Sequence, residues 1–323
     1  MNTPQAFSAI VFRSDQMKAV LSLCQRVARS PIPTVLVVGP TGTGKELVAR
    51  AIHGAGSNVS DPFVAINCAA IPSALLESEL FGHVPGAFTD ARTEKIGLFE
   101  LASSGTVLLD EVVELSLELQ AKLLRVLENR VVRRVGGVDE RPVMCRVIAA
   151  ANRPLEDAVA RGEFREDLYY RLNVFRIDVP ALRDRPGDID ALVQHFLVLG
   201  AKQHGLERPK RVSDDAFAVL RAHTWPGNVR ELRNVIERAM VLCDGDVIEP
   251  EHVVIQRRVA IAGSAGAIAG EIAIPQTGMK LEDIEREAIR ITLELTRGNR
   301  TAAAEMLGIS RPTLHRRLAE ERN

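Results

Sequence analysis

Residues 39–45 read Gly-Pro-Thr-Gly-Thr-Gly-Lys, a G-x-x-x-x-G-K spacing. It follows Thr34–Val38 (TVLVV), a short β-branched run. It precedes Glu46–His53, where Leu47, Val48, Ala51 and Ile52 recur at helical spacing. Strand, glycine loop, helix is the order in which backbone N–H groups turn inward on phosphate oxygens, with the positive end of the helix behind them. Gly39, Pro40, Thr41, Gly42, Thr43 and Gly44 would form that cradle, Lys45 would reach the terminal phosphates of ATP, and Glu46 would complete the nucleotide-binding set. A ligand-free glycine turn is the plain alternative, disfavoured by the flanking strand and helix. Glu46 stands where a Ser or Thr commonly holds Mg²⁺, so the metal must rest on nucleotide, water and a second carboxylate.

Val107-Leu-Leu-Asp110-Glu111 supplies that carboxylate. A buried strand ending in two acids would place Asp110 beside Mg²⁺ and Glu111 where it can polarise an attacking water; a strand that simply ends at a solvated turn is the plain alternative, disfavoured downstream of the glycine loop. Further strand candidates are Phe63–Ile66, Thr106–Leu109, Arg146–Ala150 and Val174–Val179, alternating with helical stretches such as Leu117–Leu127. That alternation predicts an α/β fold with a parallel sheet covered on both faces. After Pro180 the chain reads as helices: Asp188–Leu199, Asp214–His223 and Asn228–Leu242. Ile261–Gly278 has the composition of a linker.

The C-terminal stretch forms three helical pieces, Leu281–Leu295, Thr301–Leu307 and Arg311–Glu320. Apolar positions on the first are Leu281, Ile284, Ala288, Ile291 and Leu295. Gly308 falls in the turn before the last piece, and Ser310 can cap it with Pro312 in its first turn. A short helix, a glycine turn and a capped helix make a helix-turn-helix. Leu314 and Leu318 would face the core, leaving Arg311, Thr313, His315, Arg316 and Arg317, with Arg300, for major groove and phosphates. Without those arginines a packing or dimerisation element would be the better reading.

Global composition supports no single binding class. The net charge of −1 gives no overall basic signature, so nucleic-acid contact must come from a local patch. No apolar run approaches the roughly 18 residues that span a bilayer, and no secretory signal precedes Ile10, so no membrane association and a cytoplasmic location are expected. Cys24, Cys68, Cys145 and Cys243 lack metal or disulfide spacing and read as reduced thiols.

Four strings together carry a family resemblance: Gly39–Glu46 (GPTGTGKE), Glu77–Ala91 (ESELFGHVPGAFTDA), Phe164–Asn173 (FREDLYYRLN) and Trp225–Leu232 (WPGNVREL). In this order the chain resembles the AAA+ bacterial enhancer-binding proteins that activate sigma-54 RNA polymerase. In that family Glu46 is the ordinary residue after the lysine. The resemblance implies that Asn67 is a switch restraining Glu111, that Asn152 senses the γ-phosphate, and that Arg230 is a second sensor. It implies that Arg165 and Arg171 are fingers reaching into a neighbouring subunit's site, hence a homo-oligomeric ring, a hexamer. Surface ion pairs of these arginines with Glu166 and Asp167 are the plain alternative.

Gly86, Ala87, Phe88, Thr89, Asp90 and Ala91 resemble the family's sigma-contacting loop, with Phe88 and Thr89 at a mobile tip; a turn with Phe88 buried is the alternative. Asp90 departs from the usual second glycine of that loop and adds a negative charge at the tip. The final segment resembles a Fis-type DNA-binding domain. The implied organisation is an AAA+ α/β domain at 7–182, a helical lid at 183–256, a linker at 257–279 and the helix-turn-helix domain at 280–323. The implied activity is ATP hydrolysis that remodels the closed promoter complex of sigma-54 RNA polymerase holoenzyme, from enhancer DNA. With so little before the ATPase domain, control by a trans-acting regulatory protein is expected. Three alternatives stay open: a DNA-bound regulator whose Asp90 weakens or redirects sigma-54 contact, a repressor that does not hydrolyse ATP, and a AAA+ remodeller of other targets.

Overall fold

The structure is a computed structural model that describes residues 6–57, 59–88, 91–255, 281–296 and 299–320. The chain divides into two compact units, residues 1–255 and 256–323. The expected linker at 257–279 lies outside the described residues.

The first unit begins with α1 (Asp15–Ala28), whose Ser14 cap accepts the Met17 N–H. Then come β1 (Thr34–Val38), α2 (Lys45–Gly54), β2 (Phe63–Asn67), α3 (Ser73–Phe81), β3 (Thr106–Asp110), α4 (Leu117–Asn129) and β4 (Arg146–Ala151). Helices α5 (Leu155–Ala160) and α6 (Glu166–Leu172) and strand β5 (Arg176–Asp178) complete the α/β part. The strands form one parallel sheet in the order β2-β3-β4-β1-β5.

Successive side chains of a strand point to opposite faces, and the apolar runs exploit this. Val35 and Val37 of β1, with Leu108, Ile148 and Ile177, pack against α1 and α2 on one face. Leu36 and Val38, with Val107, Leu109 and Val147, pack against α3, α4 and α6 on the other. A strand buried on both faces needs an uninterrupted apolar run, which TVLVV supplies. On α2 the buried stripe is Val48, Ala49, Ala51 and Ile52, whereas Leu47 is 45% exposed. The predicted stripe was therefore shifted by part of a turn at that residue.

The lid carries α7 (Ile189–Gln203), α8 (Asp214–Ala222) and α9 (Asn228–Leu242) around Trp225, which is buried and donates its indole N–H to Leu220 O at 2.9 Å. Its core joins Leu192, Val193, Leu197, Leu220, Leu232 and Ile236.

In the second unit α10 (Leu281–Leu295), α11 (Arg300–Met306) and α12 (Arg311–Glu320) enclose Ile289, Ala303, Ala304 and Leu314, with Leu318 packed against them. Ile289, absent from the predicted stripe of α10, is 4% exposed and central to this core. The side chains of Leu281 and Leu295 lie outside the described residues. Asn299 caps α11, accepting from Thr301 and Ala302 N–H at 3.1 and 3.3 Å. Gly308 takes φ 68°, and the Ser310 hydroxyl accepts the Thr313 N–H at 3.3 Å, so turn and cap fall where the sequence predicts them.

Candidate nucleotide-binding site and the loops around it

The glycine loop leaves β1 between β4 and β5. The Gly39 N–H donates to Ala151 O, the last residue of β4, at 3.1 Å, and a Cβ at Gly39 would stand 2.6 Å from Val179 O. Thr43 folds back, its hydroxyl and N–H both donating to Pro40 O, at 2.8 and 3.3 Å. Gly42 and Gly44 adopt φ +80° and +100°, which side chains rarely tolerate. Lys45 is 7% exposed and donates to Gly39 O at 2.8 Å, with Pro40 O at 3.4 Å. Burial pulls its pKa down from the ordinary lysine value, against the attraction of Asp110 and Glu111, while Arg230 adds to the lowering.

Both acids stand at the C-terminal end of β3. Asp110 pairs in register with Asn67 of β2, and its Oδ1 accepts the Glu111 N–H at 3.1 Å. Glu111, the first residue after the strand, takes φ 56°, a left-handed turn that breaks away from the sheet. The Asn67 side-chain oxygen accepts the Ala69 N–H at 2.9 Å, so the amide is engaged by its own turn. Asn152 directly follows β4, between β3 and β1, bringing it to the same sheet edge as Asp110 and the loop. Glu46 points away from the loop and pairs with Arg50 at 2.8 Å on the exposed face of α2. An i,i+4 acid at a helix N-terminus is favourable there without touching phosphate.

The lid lies directly on the loop. The Arg230 N–H donates to Gly42 O at 3.3 Å, and a Cβ at Gly42 would stand 2.4 Å from Gly227 O. Asn228, unremarked in the sequence beyond its place in the WPGNVREL string, is 2% exposed with φ 54°. Its amide donates to Thr41 O at 2.9 Å and accepts the Leu182 N–H at 2.8 Å. Arg185 and Asp188 are likewise buried behind the loop, and no local pattern flagged them.

Arg165 and Arg171 flank and end α6 on the surface. Arg165 pairs with Asp167 at 2.7 Å and Arg171 with Glu128 at 3.3 Å. The first matches the plain alternative; the second finds its partner on α4 instead of on its own helix.

The segment 86–91 extends from a small antiparallel pair, Gly82–His83 with Lys95–Ile96. Gly86 takes φ +83°, its N–H donating to Ala91 O at 2.7 Å. Phe88 is 42% exposed with its ring edge-on to His83 at 4.9 Å, which places it outside the core. Thr89 and Asp90 lie outside the described residues. A second loop supports the first: Val84 N–H donates to Val135 O at 3.1 Å, and a Cβ at Gly136 would stand 2.9 Å from Ala87 Cβ.

In the second unit Arg300, Arg311 and Arg316 are exposed. Arg317 instead pairs with Glu285 of α10 at 3.1 Å, tying α12 to its own core. Thr313 is engaged with Ser310 at 2.7 Å between hydroxyls. The side chain of His315 lies outside the described residues.

Residues 10–178 match the Sigma-54 interaction domain. The chain belongs to that family. Residues 183–260 match the AAA+ ATPase lid domain and residues 280–320 the bacterial regulatory protein, Fis family, so this sigma-54 activator-family chain combines an ATPase with a helix-turn-helix. The relatives include Regulatory protein AtoC of Escherichia coli, 45% identical over 94% of this chain and 66% of its own length. Transcriptional regulatory protein FlbD of Caulobacter vibrioides is 44% identical over 96% of this chain and 70% of its own. Against AtoC, then, the chain spans just under two thirds of the relative. Among solved structures, NtrX from Brucella abortus in complex with ATP superposes with a TM-score of 0.73 at 36% identity, covering 96% of this chain and 68% of that one. Among the described residues no helix is long and apolar enough to cross a membrane.

Proposed function

We propose that this chain is an ATP-driven transcriptional activator: it binds enhancer DNA through residues 280–323, assembles head to tail into a hexameric ring, and remodels sigma-54 RNA polymerase holoenzyme from closed to open promoter complex. The observation that carries the reading is the union in one chain of a glycine loop pinned beneath a lid, the sigma-54 interaction family match, and an exposed Phe88 on a separately supported loop. Residues 39–45 hold the phosphates, Lys45 exchanging its carbonyl partners for terminal phosphate oxygens. Glu111 orients and polarises the attacking water, and Asn152 and Arg230 report the state of the γ-phosphate from the sheet edge and the lid. A Mg²⁺ ion fits the donor set, one strand-end carboxylate at Asp110 plus phosphate and water oxygens, and when bound would neutralise charge on the transferring group. Arg165 and Arg171, held on the surface by single exposed ion pairs, can leave those pairs at little cost and enter a neighbour's site. Asn67 restrains Glu111 once its amide turns from Ala69.

The test is open-complex formation on a supercoiled promoter with sigma-54 holoenzyme. ATP should yield open complexes, and a non-hydrolysable analogue should not. Open complexes formed without hydrolysis would sink the reading. Asp90 favours a second reading, a chain with weakened sigma-54 contact. On that reading Asp90→Gly retains more sigma-54 with a trapped transition-state nucleotide; equal retention removes it.

A further inference from the structure

Behind the glycine loop lies a buried ion pair that none of the roles above employs. Arg185 is 2% exposed and Asp188 0% exposed, both in the hinge between β5 and α7. The Arg185 guanidinium donates from Nη2 to Thr43 O at 3.0 Å, its Nη1 lies 3.5 Å from Asp188 Oδ2 and 3.3 Å from Met17 Sδ, and its Nε has no partner among the described residues. Asp188 in turn accepts the N–H groups of Arg13 and Ser14 at 2.5 and 2.7 Å and the Ser14 hydroxyl at 3.0 Å. Two charges removed from water, with one donor left unsatisfied, make a poor stability device. Their geometry serves another purpose.

The Thr43 carbonyl and the Gly44 N–H share one trans peptide plane and therefore point in opposite directions. A guanidinium that grips the carbonyl fixes where the N–H aims. Gly44 has φ +100°, a Cβ there would meet nothing within 4 Å, and no protein group among the described residues accepts its N–H. It is an open donor at the start of α2. We propose that Arg185 is a positioning residue that turns the Gly44 N–H into the phosphate cradle, while Asp188 holds the Arg13–Ser14 segment against the hinge. Lid, phosphate loop and the segment before α1 then share one charged joint. The inference rests on the nucleotide-site reading.

Two conservative variants separate positioning from mere support. Arg185→Lys keeps the charge beside Asp188 but cannot span both partners, so Thr43 O is released. Asp188→Asn breaks the same ion pair and leaves Arg185 on Thr43. Binding of a fluorescent ADP analogue is measured beside thermal unfolding without nucleotide. Arg185→Lys should weaken ADP by about tenfold, the worth of one hydrogen bond, while Asp188→Asn stays within about threefold of wild type. At saturation the lysine variant should show a raised KM for ATP with kcat retained, as expected for lost uniform binding. ADP binding by Arg185→Lys equal to wild type overturns the proposal. So does loss of affinity in both variants in step with their stability, or loss of cooperative unfolding in both, which would assign the pair to folding alone. A wild-type chain that binds no ADP refutes the nucleotide site itself, a separate failure.

Discussion

The side-chain amide of Asn228 donates to the carbonyl of Thr41 at 2.9 Å, joining the lid to the phosphate loop across 187 positions of sequence. The same amide's oxygen accepts the Leu182 N–H, so one buried side chain fixes loop, hinge and lid helix together. Asn228→Gly keeps the left-handed backbone and removes both bonds. It should lower stability by about 2 kcal/mol, from one buried and one part-buried hydrogen bond. Nucleotide affinity should fall as well, and denaturant unfolding with and without ADP reads both; a stability loss with unchanged ADP binding would confine Asn228 to folding.

Glu111→Gln should cut ATP hydrolysis by roughly 10²-fold or more while ATP still binds, because a neutral amide cannot polarise water yet occupies the same volume. Steady-state phosphate release beside nucleotide binding checks this. Lost binding would assign Glu111 to ligand contact instead.

Among the described residues Arg171 pairs only with Glu128, at 3.3 Å, both side chains exposed. Arg171→Ala subunits should therefore fold normally and poison mixed assemblies, giving a 1:1 mixture an activity well below half. A strictly dose-proportional loss would place the arginine's role within its own subunit.

His53 provides the pH dependence. Burial holds its pKa below the ordinary 6.5, outweighing contacts with Asp61 that raise it, and its Nδ1 lies 2.9 Å from the Thr106 hydroxyl. The unfolded ring takes its proton near 6.5 and the folded ring only at lower pH. This contribution is therefore full above that value and lost as pH falls through the folded pKa. Urea midpoints should drop between pH 7.5 and 5, with a shallower drop in His53→Gln. Identical slopes would acquit His53.

On the second unit, exposed Arg316 and paired Arg317 should behave differently. Arg316→Ala should weaken DNA binding and reduce the salt slope by about one, while Arg317→Ala, which unties α12 from Glu285, should chiefly destabilise the domain. Binding titrations over a salt series, with unfolding curves, distinguish them.

Much of this was legible because it is local. Val35 to Val38 declare a two-faced buried strand by period, and Gly39 to Lys45 declare their loop by the backbone angles that only glycine makes easy. Ser310 and Gly308 mark a cap and a turn within a few residues. Leu47 misled because an apolar residue at helical spacing can still face solvent where neighbouring Ala49 fills the tight contact with the sheet. Arg185 and Asp188 were illegible for a deeper reason: within the charged run Arg183–Asp188 they look like a solvated turn, and their partners, Thr43 and Ser14, lie more than a hundred positions away. Long-range pairing of charges leaves no periodic trace. Asn67 and Arg171 had their placement legible and their present partners not, since short side-chain bonds depend on which neighbour is nearest once the backbone is set.

The absence of a side chain at Gly42 has a mechanical consequence. Because Gly227 O would stand 2.4 Å from any Cβ there, and Arg230 N–H reaches Gly42 O, the loop's middle and the first turn of α9 meet backbone to backbone with no compliant side chain between them. Such a joint does not cushion. A tilt of α9 that kept this contact would carry residue 42 with it, and one that did not would open a gap there.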